Sequence, residues 1–199
     1  MQRDALETRL YDAMAAMEII DSHEHLGPEK DRVDSPVDVF TLFSHYTSAD
    51  LRVAGMSLAD YQSLADQAIP LQTRWDTFKP YYENIRWGSY ARAALLAAKK
   101  FYDVDDINDS TFELLTERIQ QANTPGIYQR VLGDACNIRA ALTQCCSTDL
   151  DSPLLIPLMP IFFDTVSWES LMREPCVAGE DVNSLDDYVD AIERYIIRS

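Results

Sequence analysis

The chain has 199 residues, of which 47% are hydrophobic and 25% charged, a composition typical of a folded globular domain. Its formal net charge of −16 argues against nucleic acid as a partner, because phosphates and an acidic surface repel each other. No stretch reaches the ~20 apolar residues of a membrane span, and residues 1–4 begin no apolar signal segment. The sequence therefore predicts a cytoplasmic protein with no membrane partner.

Cysteine usage agrees with a reducing compartment. The four cysteines are Cys136, Cys145, Cys146 and Cys176. None of them forms a Cys-x-x-Cys pair, and two are adjacent in sequence. We expect small buried thiols rather than a disulfide framework.

The first half of the chain is mainly helical by its pattern. Residues 3–16 repeat apolar side chains at helical spacing and lead into the apolar pair Ile19-Ile20. From Pro36 to about Asn137 almost every segment has helical periodicity. Start signals occur at Ser35-Pro36, at Ser57 with Asp60, at Ser110 with Glu113 and at Ser184 with Asp187.

Two further strands are predicted after the helical segment. Residues 138–144 are short and mostly apolar, and residues 154–161 are more apolar still. We expect the second of these strands to be buried on both faces and to end near Met159, because Pro157 and Pro160 disfavour a longer central strand. The element order is helix, strand, long helical insertion, strand, strand, helix, which predicts an α/β fold with three parallel strands.

His23 and His25 stand out at the end of the first predicted strand. Because side chains alternate along a strand, the two imidazoles are expected on one face, with Glu24 on the other. Neutral imidazole is the commonest metal ligand among side chains, and the carboxyl ends of strands carry the active sites of barrel folds. The pair predicts a metal site, whereas the alternative is a solvated loop after a strand.

Three stretches carry a family resemblance. Residues 19–26, Ile-Ile-Asp-Ser-His-Glu-His-Leu, resemble the first-strand motif of the amidohydrolase superfamily, especially its amidohydrolase-2 and uronate isomerase branches. Residues 44–46 (Ser-His-Tyr) followed by 50–56 resemble a segment in which a His-Tyr pair precedes a basic residue and a glycine. Residues 75–82 and 90–93 are similar to a third segment of those branches.

The resemblance implies a distorted (β/α)8 barrel that holds one or two divalent metals. Such barrels usually take ~250 residues or more, so residues 1–199 would form the N-terminal part of one barrel domain, about its first three strands, with residues 36–137 as an insertion. In the family the two first-strand histidines bind metal, which assigns His23 and His25 here, with zinc as the expected ion. The other ligands and the catalytic aspartate come from later strands, so the chain contains no assigned catalytic residue.

The implied chemistry is metal-activated hydrolysis of a small, anionic substrate. A uronate isomerase-like reaction on a sugar acid is the alternative, and for either reaction His45, Tyr46 and Arg52 are the substrate-contact candidates. The competing interpretation is that all three residues are structural. His45 would then cap a helix or pack against its neighbours, Tyr46 would fill the core, and Arg52 would lie on a solvated helix face. Asp164 follows the third strand, where it is either functional or a turn residue.

A different class of function is also open. The chain could be a truncated, non-catalytic interaction module whose working part is the acidic helical insertion. In both cases the 199 residues alone are expected to be inactive, because two ligands make a weak metal site. We also expect poor behaviour in solution, because a three-stranded sheet leaves an open edge. The predicted partner is a small molecule, and a homo-oligomer is left open.

Overall fold

The computed structural model of the chain describes residues 4–144, 149–158, 167–173, 177 and 179–198. In chain order the elements are α1 (Ala5–Ala15), β1 (Ile19–Glu24), α2 (Glu29–Asp34), a 3₁₀ turn (Val39–Phe43), α3 (Thr47–Val53), α4 (Leu58–Ser63), α5 (Leu71–Ile85), α6 (Ser89–Tyr102), α7 (Phe112–Ala122), a π-helical turn (Gln129–Ala135), β2 (Ile138–Thr143), β3 (Leu155–Pro157), α8 (Trp168–Leu171) and α9 (Leu185–Arg198). The chain divides into two compact units. The first contains Met1–Asp31 and Tyr128–Ser199, and the second contains Arg32–Ile127.

The first unit contains a parallel three-stranded sheet in the order β1-β2-β3. Ile19 lies opposite Ile138 in the first pair of strands, and Ala141 lies opposite Leu155 in the second. Parallel neighbours need a long crossover, and the helical segment between β1 and β2 provides it. The predicted class is confirmed: the chain has a partial (β/α)8-type fold with three parallel strands and a long helical insertion after the first.

The strand boundaries follow the apolar patterns with one shortening. β2 ends at Thr143, within a residue of the prediction, whereas β3 covers only Leu155–Pro157 of the predicted 154–161. Pro157 has no N–H to donate, which limits the ladder at this point. The predicted end near Met159 and the following Asp164 lie outside the described residues.

An aromatic cluster forms the core of the second unit. Trp75, Phe78 and Tyr82 lie at helical spacing on α5, and each is at most 1% exposed. The Trp75 ring stacks on Phe112 with centroids 4.7 Å apart and planes 4° apart. Burial raises the pKa of Tyr82 to about 12. Large apolar areas withdrawn from water in this way are the main source of stability for the helical unit.

Helix starts agree with two of the four sequence signals. Ser57 accepts the backbone N–H of Asp60, and Ser184 accepts that of Asp187, so both caps are confirmed. The Ser110 cap is wrong, since its hydroxyl donates to Asn108 Oδ1 and α7 begins only at Phe112. Ser35-Pro36 begins no helix either. The following 3₁₀ turn is capped by Asp38, which accepts the N–H of Phe40.

Several apolar side chains of the first unit are exposed. Ile19 and Ile20 of β1 are 44% and 54% exposed, and Ile156 of β3 is 46% exposed. The expectation that β3 is buried on both faces is therefore wrong on the Ile156 side, because no described element covers it. Helix α1 contains no buried residue at all. Among the described residues no helix combines the length and apolar character needed to cross a membrane.

The exposed face of α1 gives a first testable prediction. Leu10 and Met14 are 52% and 68% exposed, so changing both to Gln removes little packing. We expect the free energy of unfolding to change by no more than about 0.5 kcal/mol, while self-association decreases because less apolar surface meets water. Urea unfolding and size-exclusion chromatography of the variant test this. A large loss of stability would show that α1 is packed.

Candidate metal site

The two histidines come together at the carboxyl end of β1. His23 is in the strand and His25 is the first residue after it. Their Nε2 atoms are 3.1 Å apart, and the rings meet edge to face with centroids 4.9 Å apart. Both side chains are exposed, so an ion in water can reach them.

This geometry fits one divalent ion. Two imidazole nitrogens on a tetrahedral zinc, each ~2.0–2.1 Å from the metal, lie about 3.3 Å apart. The observed separation of 3.1 Å differs from that value by a few tenths of an ångström. The side chains therefore need only small rotations to share an ion, although their role as ligands stays a prediction.

Carboxylates near the pair were not identified from the sequence. Asp21 Oδ1 accepts the backbone N–H of His23 at 3.1 Å, which fixes the strand end. Burial, followed by a hydrogen bond with Asp21, raises the pKa of Glu24. Strict alternation would have pointed Glu24 away from Asp21, but the β1–β2 register shifts between these two residues. This contact depends on how β1 pairs with β2, and the local sequence does not show that pairing.

The segment that follows the histidines is fixed by its neighbours in the first unit. Thr143, fully buried in β2, donates its hydroxyl to the Leu26 carbonyl at 2.7 Å. The Tyr128 hydroxyl donates to the Gly27 carbonyl at 3.1 Å. Asp151 accepts the backbone N–H groups of Glu29 and Lys30, and these bonds lower its pKa. The backbone on the far side of His25 is therefore held at several points.

Thr143 offers a test of this support. Changing Thr143 to Val keeps the shape but removes the hydroxyl that bonds Leu26 O. We expect a loss of about 1–3 kcal/mol in the free energy of unfolding and weaker binding of Zn²⁺ at His23 and His25. Thr77→Val is the control, because the Thr77 hydroxyl bonds Thr73 O on an exposed helix face. Equal losses for the two variants would contradict the supporting role.

The described part of the chain supplies a pair of donors rather than a complete site. No group of three or more His, Cys, Asp or Glu side chains that could hold a metal ion occurs among the described residues. Structural zinc sites use four protein donors and catalytic ones use three. Any metal at His23 and His25 would thus need further ligands from water or from other protein segments.

The second unit contains the substrate-contact candidates His45 and Tyr46. Their rings are 4.2 Å apart, and Tyr46 stacks on Tyr90 with centroids 5.5 Å apart and planes 16° apart. All three residues border a cavity of about 290 Å³. His45 has φ of 58°, a left-handed conformation that is uncommon for residues other than glycine. Tyr90 was not among the predicted contacts, because its stacking on Tyr46 joins two segments that are distant in the chain and cannot be inferred from the local sequence.

Arg52, the third candidate, has a local structural partner. Its Nη1 donates to the carbonyl of Met56 at 2.8 Å, which closes the turn after α3. Arg52 is exposed, as expected for a solvated helix face, and its Nε and Nη2 have no acceptor among the described residues. Its role toward a substrate stays a prediction.

Comparison with known proteins gives one informative result. No protein-family model matches the chain, and no curated protein matches it. Among solved structures it is similar to the uronate isomerase of Thermotoga maritima, with 18% identity and a TM-score of 0.63. The match covers 94% of this chain and 45% of that one, so the chain spans less than half of its structural neighbour. At this identity the likeness establishes the fold alone: the chain is built like part of a uronate isomerase barrel.

Proposed function

We propose that the chain is the N-terminal part of a metal-dependent barrel enzyme that acts on a small anionic substrate. The observation that supports this most is the convergence of His23 Nε2 and His25 Nε2 at 3.1 Å. The pair lies at the carboxyl end of the first strand of a parallel sheet, the end at which barrel enzymes carry their active sites. Zinc is the proposed ion, since it readily takes imidazole nitrogen.

In this proposal His23 and His25 bind the ion as neutral imidazoles. Asp21 fixes the backbone of His23, and Thr143 fixes the segment after His25. A divalent ion in such a site lowers the pKa of bound water toward ~7 and polarises carbonyl oxygens. The remaining ligands and the general base would come from barrel strands outside this chain.

The candidate substrate contacts lie in the second unit. His45 and Tyr46 offer a ring nitrogen and a phenol beside a cavity, and Tyr90 supports Tyr46 by stacking. Arg52 keeps guanidinium donors beyond the one bound to Met56 O, which suits a carboxylate. These assignments agree with an anionic substrate such as a sugar acid.

Two reactions fit this arrangement. Metal-activated hydrolysis follows from the resemblance of residues 19–26 to the amidohydrolase motif. Proton transfer between two carbons of a sugar acid is favoured by the likeness to a uronate isomerase structure.

An isotope experiment separates the two. The complete reading frame that contains residues 1–199 is expressed, supplied with Zn²⁺ and incubated in D₂O with a hexuronate and, separately, with amide and ester substrates. An isomerase introduces solvent deuterium at the carbon beside the sugar carbonyl, whereas a hydrolase releases a new carboxylate. His23→Ala should abolish either activity, with Thr77→Val as the matched control. A reading frame without turnover or bound zinc would favour the non-catalytic module.

A further inference from the structure

A basic pocket stands out in the second unit. Arg86, Arg92 and Lys99 border a cavity of about 360 Å³ together with the exposed ring of Trp87. Arg92 and Lys99 lie seven residues apart on α6, two helical turns, and therefore on the same face. The chain as a whole has 33 acidic and 17 basic residues, so three clustered cations are unusual for it.

The charges in the pocket do not cancel. Arg86 Nη2 pairs with Asp106 Oδ1 at 2.6 Å, and Lys99 Nζ pairs with Asp105 Oδ1 at 2.7 Å. The guanidinium of Arg92 has neither an ion pair nor a hydrogen bond within the part of the chain that the structure describes. Among the residues that line the cavity, three cations and two carboxylates leave one positive charge, which suits a monoanion.

Arg86 is also incompletely satisfied. Its Nε is buried and has no hydrogen-bond partner among the described residues. Its guanidinium carbon lies 5.0 Å from the centroid of the Trp87 ring. Because Nε is buried, a ligand in the cavity meets this guanidinium at its terminal nitrogens, of which Nη2 already pairs with Asp106.

The wall of the pocket is apolar where it meets water. Trp87 is 77% exposed and Leu96 is 54% exposed, and both border the cavity. The exposed indole of Trp87 offers a flat surface for a ring, and the unpaired guanidinium of Arg92 offers a charge for an acid group. The pocket therefore favours ligands that carry an apolar or aromatic ring together with an acid group.

We propose that this pocket binds an organic monocarboxylate whose apolar or aromatic body rests on Trp87 and Leu96. The carboxylate accepts hydrogen bonds from Arg92 and Arg86, and Lys99 adds charge once it exchanges its exposed partner Asp105. The site uses none of the residues assigned to the metal or to the His45-Tyr46 cavity. It is therefore independent of the proposed enzymatic function.

The test uses the 199-residue chain and phenylacetate as the probe. The indole N–H signal of Trp87 is followed by ¹H–¹⁵N NMR and assigned with Trp87→Phe. Phenylacetamide has the same shape without the charge, and acetate has the charge without the ring. Arg92→Gln removes the unpaired cation, and Lys100→Gln removes one positive charge from α6 at a residue outside the pocket, next to Lys99.

We expect saturable shifts with phenylacetate that weaken roughly tenfold or more in Arg92→Gln, the effect of one charge-assisted hydrogen bond. Lys100→Gln should bind as the parent chain does, and phenylacetamide and acetate should bind more weakly. Absence of saturable binding, equal binding of phenylacetamide, or equal weakening by Lys100→Gln would each overturn the proposal. Equal weakening by Lys100→Gln would show that general electrostatic attraction, rather than this pocket, accounts for the binding.

Discussion

Replacing either His23 or His25 with Ala should lower the affinity of the chain for Zn²⁺ by on the order of 100-fold. A four-donor zinc site is worth ~10–16 kcal/mol, so each donor contributes about 3 kcal/mol, or roughly two powers of ten. The two Nε2 atoms lie 3.1 Å apart, and neither can hold an ion well without the other. Equilibrium dialysis followed by metal analysis measures the change.

His45→Ala is the matched control for this experiment. It removes the remaining histidine of the chain, which lies in the second unit next to Tyr46 rather than with the pair. The first Zn²⁺ should bind this variant as it binds the parent chain. If His45→Ala weakens binding as much as His23→Ala does, zinc is not held by the pair.

Replacing Arg74 with Leu should destabilise the helical unit by about 3–5 kcal/mol. Arg74 Nη1 lies 2.5 Å from Asp38 Oδ2, and the two side chains are only 4% and 5% exposed. Arg74 also donates to the carbonyls of Leu64 and Ile69. Removing it leaves the Asp38 carboxylate buried without its counter-ion and two carbonyls without a donor.

An exposed ion pair provides the comparison for Arg74. Lys79 and Asp109 are 37% and 63% exposed, so Lys79→Gln should destabilise the chain far less than Arg74→Leu does, because water screens the exposed pair. Urea unfolding, monitored by the fluorescence of buried Trp75, gives both values. The double variant Arg74→Leu, Asp38→Leu should be more stable than Arg74→Leu alone, because no buried charge remains. Similar costs for Arg74→Leu and Lys79→Gln would contradict a buried pair.

Local patterns were sufficient to predict the three strands and the helical segment between the first two. The apolar runs at Ile19 and Ile138 predicted strands, and the spacing of His23 and His25 placed two rings on one side of a strand end. Ser57 and Ser184 cap helices as their sequences indicate. These features depend on neighbours within four residues, which the sequence displays directly.

Features that depend on distant partners could not be predicted in this way. Asp38 and Arg74 are 36 residues apart, and the residues around each of them do not indicate that the two side chains meet in the core. Ser110 looks like a helix cap, but Asn108 competes for its hydroxyl. Ile156 looks like a buried strand residue, yet its burial requires an element that covers it. The ligand role of His23 and His25 stays a prediction for the same reason, since further donors lie elsewhere.

We propose that His23 and His25 together hold a divalent ion. Zinc K-edge X-ray absorption of the His45→Ala chain tests it most directly, because His23 and His25 are then its remaining histidines. We expect two imidazoles at the zinc, with nitrogen at ~2.0–2.1 Å and oxygen atoms as the remaining ligands. A first shell dominated by sulfur at ~2.3 Å, as cysteine thiolates would give, or a shell without imidazole would contradict it.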